Sequence, residues 1–376
     1  MKRNKLLIAI GVAILISVAS VLVCKTKTKS EPVDVIRIGV ILPLTGAQAQ
    51  DGREVRNAIA LAANRVNANQ KDGDFGIDID IYDSKDDSKN AITIFNAMKG
   101  NHPNVVIVGG SVVSRTLAPL ASKYRIPVLS LLACDDDLPN ENEWIFRSFP
   151  SDKEEIGLMV QYAVNKLNVR KVAVLAVDNI QGTTAIKYIK EYAKVFGCEV
   201  CAEDTYAIDA MDTRAQVSKI LEANPDSVYV FGYGVGFCNS INQFREMEYK
   251  KSILTWSAMS LSAYKKALKG SRTNIFFTAP PFSRDLNEES RIFYDEYVER
   301  YKMQPGFIAA MAYETIRMIV MSAKPNGQSA ESFCAALNGI KSHESITGEI
   351  GFNGKRGLQV AFDIFTLDND RIIRTP

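Results

Sequence analysis

Apolar residues run along this chain in two alternating rhythms. Val35 to Leu42 is a short run rich in β-branched residues that Pro43 closes, as in a strand buried on both faces. Ala58, Leu61, Ala62 and Val66 then recur at helical spacing. A strand, a polar loop and a helix in that order place the loop, Leu44 to Gly52, at the carboxyl edge of a sheet. Open α/β sheets bind ligands at that edge, so this loop is expected to be one jaw of a small-molecule clamp.

The same rhythm continues. Ile77 to Tyr82 alternates and precedes the acidic loop Asp83 to Asp87, which caps a helix starting near Ser88. Asn104 to Gly110 is a strand ending in two glycines. A helix from Thr116 to Tyr124 follows, with free N–H groups at its start. Ile126 to Leu132 is a fourth strand, ending at Ala133, Cys134 and Asp135 to Asp137, and Trp144 to Pro150 is a fifth that leads out of the unit. From Lys153 the pattern restarts. VRKVAVLAVD resembles the first strand, and strands Glu199–Tyr206, Ser227–Tyr233 and Ser252–Trp256 alternate with helices Thr183–Phe196, Thr213–Ala223 and Phe237–Met247.

Strict alternation predicts parallel sheets with right-handed crossovers. The fold class is therefore α/β, with two doubly wound parallel-sheet lobes joined by a multi-crossing hinge. One lobe is expected from 35–149 plus 279–347, the other from 150–278 plus 348–376. Helices Glu288–Tyr301 and Ile308–Ala323 rejoin the first lobe, and Gly348 to Leu367 forms a last hairpin on the second. Two cores also suit the length of 376 residues, since single cores stop growing near roughly 250–300. Closure of the lobes about a ligand is the expected motion.

Charge narrows the partners. Lys2, Arg3, Lys5, Lys25, Lys27 and Lys29 all precede the first acid, Glu31, leaving 39 basic against 43 acidic side chains in the remainder. No basic stripe is left for phosphates, which argues against nucleic acid. The basic start followed by the apolar run Leu6 to Val23 reads as an export segment, 1–30, ending in a polar tether, Lys25 to Pro32. Three fates stay open: cleavage near Ala19, lipidation at Cys24, or an uncleaved anchor. The protein is thus expected in the periplasm or tethered to the outer face of the cytoplasmic membrane.

Catalytic chemistry finds little support. His102 and His343 sit in loop-like contexts without partner motifs, and neither a Walker loop nor a G-x-G-x-x-G follows a strand. No enzyme activity, cofactor or metal is expected. Cys198 and Cys201 form a C-x-x-C, but within a strand their side chains should point to opposite faces, so buried packing is the reading.

IGVILPLTG, a helix, and then IDIDIYDSKDD resemble the opening of the branched-chain amino-acid-binding family of type I periplasmic binding proteins, and the likeness runs from about Ile36 to Ile373. The resemblance implies a substrate-binding protein that hands a small-molecule ligand to an ABC permease, acting as a monomer. It also implies a ligand held by groups after the third and fourth strands, by an acid on the second lobe and by aromatic rings. Ala133 and Tyr233 match that pattern. Val113 stands at the usual serine, with Ser111 and Ser114 beside it. Cys134 replaces a threonine and Ser257 an acid, while Gln181 and Asp51 replace aromatics. Candidate ligand-binding residues are therefore Ser111, Ser114, Ala133, Cys134, Tyr233 and Ser257. Asp51 or Asp135 could pair a cation from the first lobe.

Blander readings stay open beside these. Ser111 and Ser114 also suit a helix cap, Tyr233 a rim aromatic and Asp135 to Asp137 a hydrated turn, while Trp256 suits stacking on a ligand and packing beneath a helix equally. The expected function is extracytoplasmic capture of a small polar organic solute, an amino acid or related compound, for uptake. The alternative is a ligand-sensing receptor domain that feeds a separate membrane signalling partner.

Overall fold

The computed structural model describes residues 35–46, 48–70, 75–269, 272–323, 328–368 and 371–375. The expected export segment and tether lie outside these residues. No helix among the described residues is long and apolar enough to cross a membrane.

The opening run forms β1 (Val35–Leu42), buried from Ile38 onward, followed by α1 (Ala49–Ala68) and β2 (Gly76–Asp83). Next come α2 (Ser88–Met98), β3 (Val105–Gly109), α3 (Ser111–Tyr124), β4 (Val128–Leu131) and β5 (Ile145–Arg147). The strands pair in parallel in the order β2-β1-β3-β4-β5. Asp87 caps α2 by accepting from the Asn90 N–H (2.6 Å), as the acidic loop foretold. Helix α3 starts five residues earlier than the periodicity suggested, because Val113 and Leu117 seat its first turns in the core beneath the sheet.

The second unit repeats the first. Its elements are α4 (Asp152–Asn165), β6 (Lys171–Val177), α5 (Ile180–Phe196), β7 (Glu199–Tyr206), α6 (Arg214–Glu222), β8 (Ser227–Phe231), α7 (Gly234–Glu246), β9 (Ser252–Thr255), α8 (Ser262–Ala267) and β10 (Ile275–Ala279). The parallel order β7-β6-β8-β9-β10 is the order of the first sheet over again. One steric detail is duplicated too. A Cβ on Gly52 would lie 2.1 Å from the Pro43 carbonyl oxygen, and one on Gly182 would lie 1.8 Å from that of Val177. In both units only glycine lets the helix after the first strand, α1 or α5, start against that strand's end.

The chain then returns through α9 (Glu288–Tyr301), α10 (Phe307–Ser322) and α11 (Ala330–Asn338). Helix α10 is buried on almost every side, as its largely apolar composition requires, and packs on α1 in the first core. Strands β11 (His343–Ser345), β12 (Gly348–Phe352) and β13 (Leu358–Val360) form a small antiparallel sheet.

The last hairpin departs from expectation. Ile350, Phe352, Leu358 and Val360 lie in the first core, with Phe352 edge-on to Phe146 at 5.5 Å. Alternation along β12 and β13 gives one apolar face, and the first core is what covers it. Only β14 (Asp363–Asp368) and β15 (Arg371–Arg374) join the second sheet, antiparallel at its β10 edge. The chain thus passes between the units after β5, after β10 and between β13 and β14.

The described cysteines are free. Two residues of β7 face one step of β6 between Val200 and Ala202, so Cys201 sits at a bulge. The simple alternation that was to separate it from Cys198 does not hold there. Both nevertheless belong to the second core, Cys198 buried and Cys201 packed against it.

Candidate functional site

A cavity of about 330 Å³ lies where the carboxyl ends of the two sheets face each other. From the first unit, Gln48 reaches it from the N-cap of α1 and Asp51 from its first turn, Leu132 and Cys134 follow β4, and Phe149 stands on the first crossing. Phe307 and Ile308 enter at the start of α10. From the second unit, Gln181 opens α5, Ile208 and Asp209 follow β7, Tyr233 to Val235 follow β8, and Trp256, Ala258, Leu261 and Tyr264 follow β9.

The rings of this wall are held in place. Trp256 donates its indole N–H to the Gly232 carbonyl (2.7 Å) and lies 4.7 Å from the ring of Phe231. The Tyr233 hydroxyl accepts from Asn179 Nδ2 (3.1 Å), and that of Tyr264 accepts from the Gly234 N–H (3.2 Å). Phe237 meets Tyr264 edge-on at 5.3 Å, and Phe149 leans on Phe307 at 5.9 Å. Gln48 from one unit and Tyr233 from the other line the same cavity, so its wall is drawn from both. Such pre-set rings lower the entropy cost of enclosing a solute.

Beneath the floor lies a carboxyl cluster. The Glu155 carboxyl accepts from the Ser257 N–H, from Ser257 Oγ (3.2 Å) and from Thr278 Oγ1. Burial pushes this acid up to about 8, so it holds its proton at neutral pH. Asp152 takes a hydrogen bond from Gln181 Nε2 (3.0 Å), and burial raises it to about 7. Beside them Asp136 accepts from Ser151 Oγ (2.6 Å) and the Lys153 N–H (3.2 Å), tying the end of the first unit to the first crossing.

The expected ligand contacts divide. Tyr233 and Cys134 border the cavity. Burial, together with Asp152 and Glu155, drives the Cys134 thiol far up, so it is a packed thiol and not a nucleophile. Ser257 is buried just behind the wall and spends its N–H and hydroxyl on Glu155. Ala133 is buried in the core on the far side of the first sheet. Ser111 occupies the first position of α3, half-buried, and Ser114 is buried with its hydroxyl unpartnered among the described residues. Neither serine borders the cavity, and neither caps α3, whose N-cap is Gly110.

Of the two acids held open for a cation, Asp135 is taken by Arg115. Asp51 lines the cavity and has no hydrogen-bond or ion-pair partner among the described residues. Phe149, Ile208, Asp209, Leu261, Tyr264 and Phe307 were missed. Phe307 carried one local signal, a ring directly after Gly306 at the start of a returning helix. The stretch holding Leu261 and Tyr264 carries no apolar rhythm that predicts an element.

Residues 35–366 match the family model described as periplasmic binding protein. The chain belongs to that family. As a periplasmic binding protein it is 20% identical over 332 residues to the leucine-, isoleucine-, valine-, threonine- and alanine-binding protein of Pseudomonas aeruginosa, covering 87% of this chain and 88% of the relative. Among solved structures, its fold superposes with a TM-score of 0.80 on the branched-chain amino acid transporter substrate binding protein of Streptococcus pneumoniae, solved with isoleucine. The identity there is 21%, covering 91% of this chain and all of the other. A solute binding protein from R. palustris, solved with benzoate, gives a TM-score of 0.78 at 18% identity, covering 90% and 95%. The type I fold expected from the opening motif is the fold observed.

Proposed function

We propose that this protein is the extracytoplasmic solute-binding component of an ABC-type uptake system. It captures a small organic molecule between its two units by hinge closure and presents it to a permease in the membrane. One observation carries the reading: two units of identical strand order turn their carboxyl edges toward one aromatic-lined cavity, with side chains of both units in its wall. The three crossings supply a hinge that closure can use. The relatives' amino-acid and benzoate ligands support a solute of that size. The reading assigns the protein no catalysis.

The test is a thermal-shift screen of amino acids, amides, short carboxylates, purines and amines on the full chain, followed by two readouts on each hit. Trp256 stands in the wall, so a captured solute should change its fluorescence, and the radius of gyration from solution scattering should fall. A hit that stabilises the protein while leaving both readouts unchanged would place binding elsewhere and overturn the reading.

A further inference from the structure

The charge of the cavity wall carries a conclusion about what enters it. Asp51 stands on one unit and Asp209 on the other, and the wall contains no Lys, Arg or His among the described residues. Neither acid has a hydrogen-bond or ion-pair partner among the described residues. Asp51 is half-buried at the start of α1, and Glu54, one turn along, spends its carboxyl on the Gly306 N–H (2.7 Å) at the start of α10. Asp209 is exposed, so closing the units would bring one half-buried and one solvated carboxylate toward the same space without a countercharge in the wall. An uncompensated charge in such a place costs free energy that an incoming cation removes. The remaining surface is mostly rings, and Tyr, Trp and Phe faces attract cations.

We propose that the captured solute is an organic cation, a protonated or quaternary amine on a compact apolar body, whose nitrogen is balanced by Asp51 with Asp209 facing it and is enclosed by the rings of Tyr233, Trp256, Tyr264 and Phe307. The assignment rests on the cavity being the solute site and names the class of solute. An anion such as benzoate would meet two carboxylates and no base. A zwitterionic amino acid would need a cradle for its carboxylate, and Ser111 and Ser114, the hydroxyls expected to help form one, stand outside the wall. Burial raises the Tyr264 phenol to about 12 and the charge of Asp51 adds to that, and both side chains line the cavity. Burial lifts Asp51 to about 6, so most of it is ionised at neutral pH despite its surroundings.

The experiment is calorimetric titration of the full chain with matched panels of like-sized bodies: trialkylammonium and primary-amine cations, their neutral carbon isosteres, zwitterionic amino acids and carboxylate anions. Benzyltrimethylammonium, neopentylbenzene, L-phenylalanine and benzoate head the four series. Cations should bind at least tenfold more tightly than their neutral isosteres. Asp51→Asn should erase most of that ratio and leave the neutral series unchanged, and Asp209→Asn should act in the same direction less strongly. If amino acids or carboxylates bind most tightly with a Trp256 response, the cavity is the solute site and the cation assignment is wrong. Tight cation binding unaffected by Asp51→Asn also overturns the assignment. If no panel binds with a Trp256 response, the solute-site reading fails as well.

Discussion

Glu155 and Asp51 are both carboxyl groups set into the apolar region between the two units, and they stand in opposite conditions. Glu155 is enclosed, accepts from three donors and holds its proton up to about pH 8. Asp51 is half-buried, has no partner among the described residues and is raised only to about 6. Buried polar groups in folded proteins are normally hydrogen-bonded, and exceptions point to a use. The satisfied acid is part of the frame that orients Ser257 and, next to it, Trp256. The unsatisfied one belongs to the cavity wall. Equal chemistry at the two places should therefore give opposite results.

The largest effect is expected from Glu155→Ala. It leaves the Ser257 N–H and the Ser257 and Thr278 hydroxyls facing a void, at a loss of about 3–5 kcal/mol. A denaturant midpoint that hardly moves would remove Glu155 from the frame. Next comes pH. Glu155 and Asp152 titrate near 4.5 and 3.8 when unperturbed but near 8 and 7 in the folded chain, so between these limits the folded state binds more protons than the unfolded one. Their contribution to stability is present below about pH 4 and is lost as the pH rises toward 8. Arg147, Asp136 and Cys134 face the same cluster and moderate the amount. Glu155→Gln should flatten the decline by on the order of 1–3 kcal/mol, read as the difference in unfolding free energy between pH 5 and pH 8. A parallel decline in the variant would assign the slope to other groups.

Asp51→Ala should behave the other way. Without ligand it should leave stability unchanged or raise it by at most about 1 kcal/mol, since no hydrogen bond is lost and a partly desolvated charge is removed. A marked loss would mean that the carboxyl has a structural partner, and the contrast with Glu155 would collapse. Smallest of all is Arg115→Ala. Its ion pairs with Asp135 and Glu141 are about one-third or more exposed, and unfolding free energies should change by roughly 0.5 kcal/mol or less. That outcome would mark Asp135 as a solvated loop acid, unlike the one in the wall.

Much of the architecture was legible in the chain. The β-branched runs that end at Leu42, Gly109, Leu131, Val177 and Phe231 are strands buried on both faces, and their alternation with helices leaves little choice but parallel sheets. Elements with weaker patterns strayed. Helix α3 starts in SVVSRT, which mixes hydroxyls with β-branched residues and carries no helical rhythm of its own. The hairpin of β12 and β13 offers an apolar face that either core could have covered.

The site was legible only in part, since a wall drawn from several separate connections has no single local pattern. Tyr233, Cys134 and Asp51 sit at strand or loop ends that the sequence marks, and they face the cavity. Ser257 sits at such an end too, yet Glu155, 102 residues earlier, draws it behind the wall.

Short-range regularities, apolar period, glycine where Cβ cannot fit and caps on helices, are written residue by residue, and they determined the duplicated α/β units of this protein. Which side chains share the cavity, which acid is satisfied and which is bare were decided by the tertiary structure alone. Those outcomes depend on distances between residues far apart in the chain, and such distances exist only once the two cores have packed and the crossings have set them face to face.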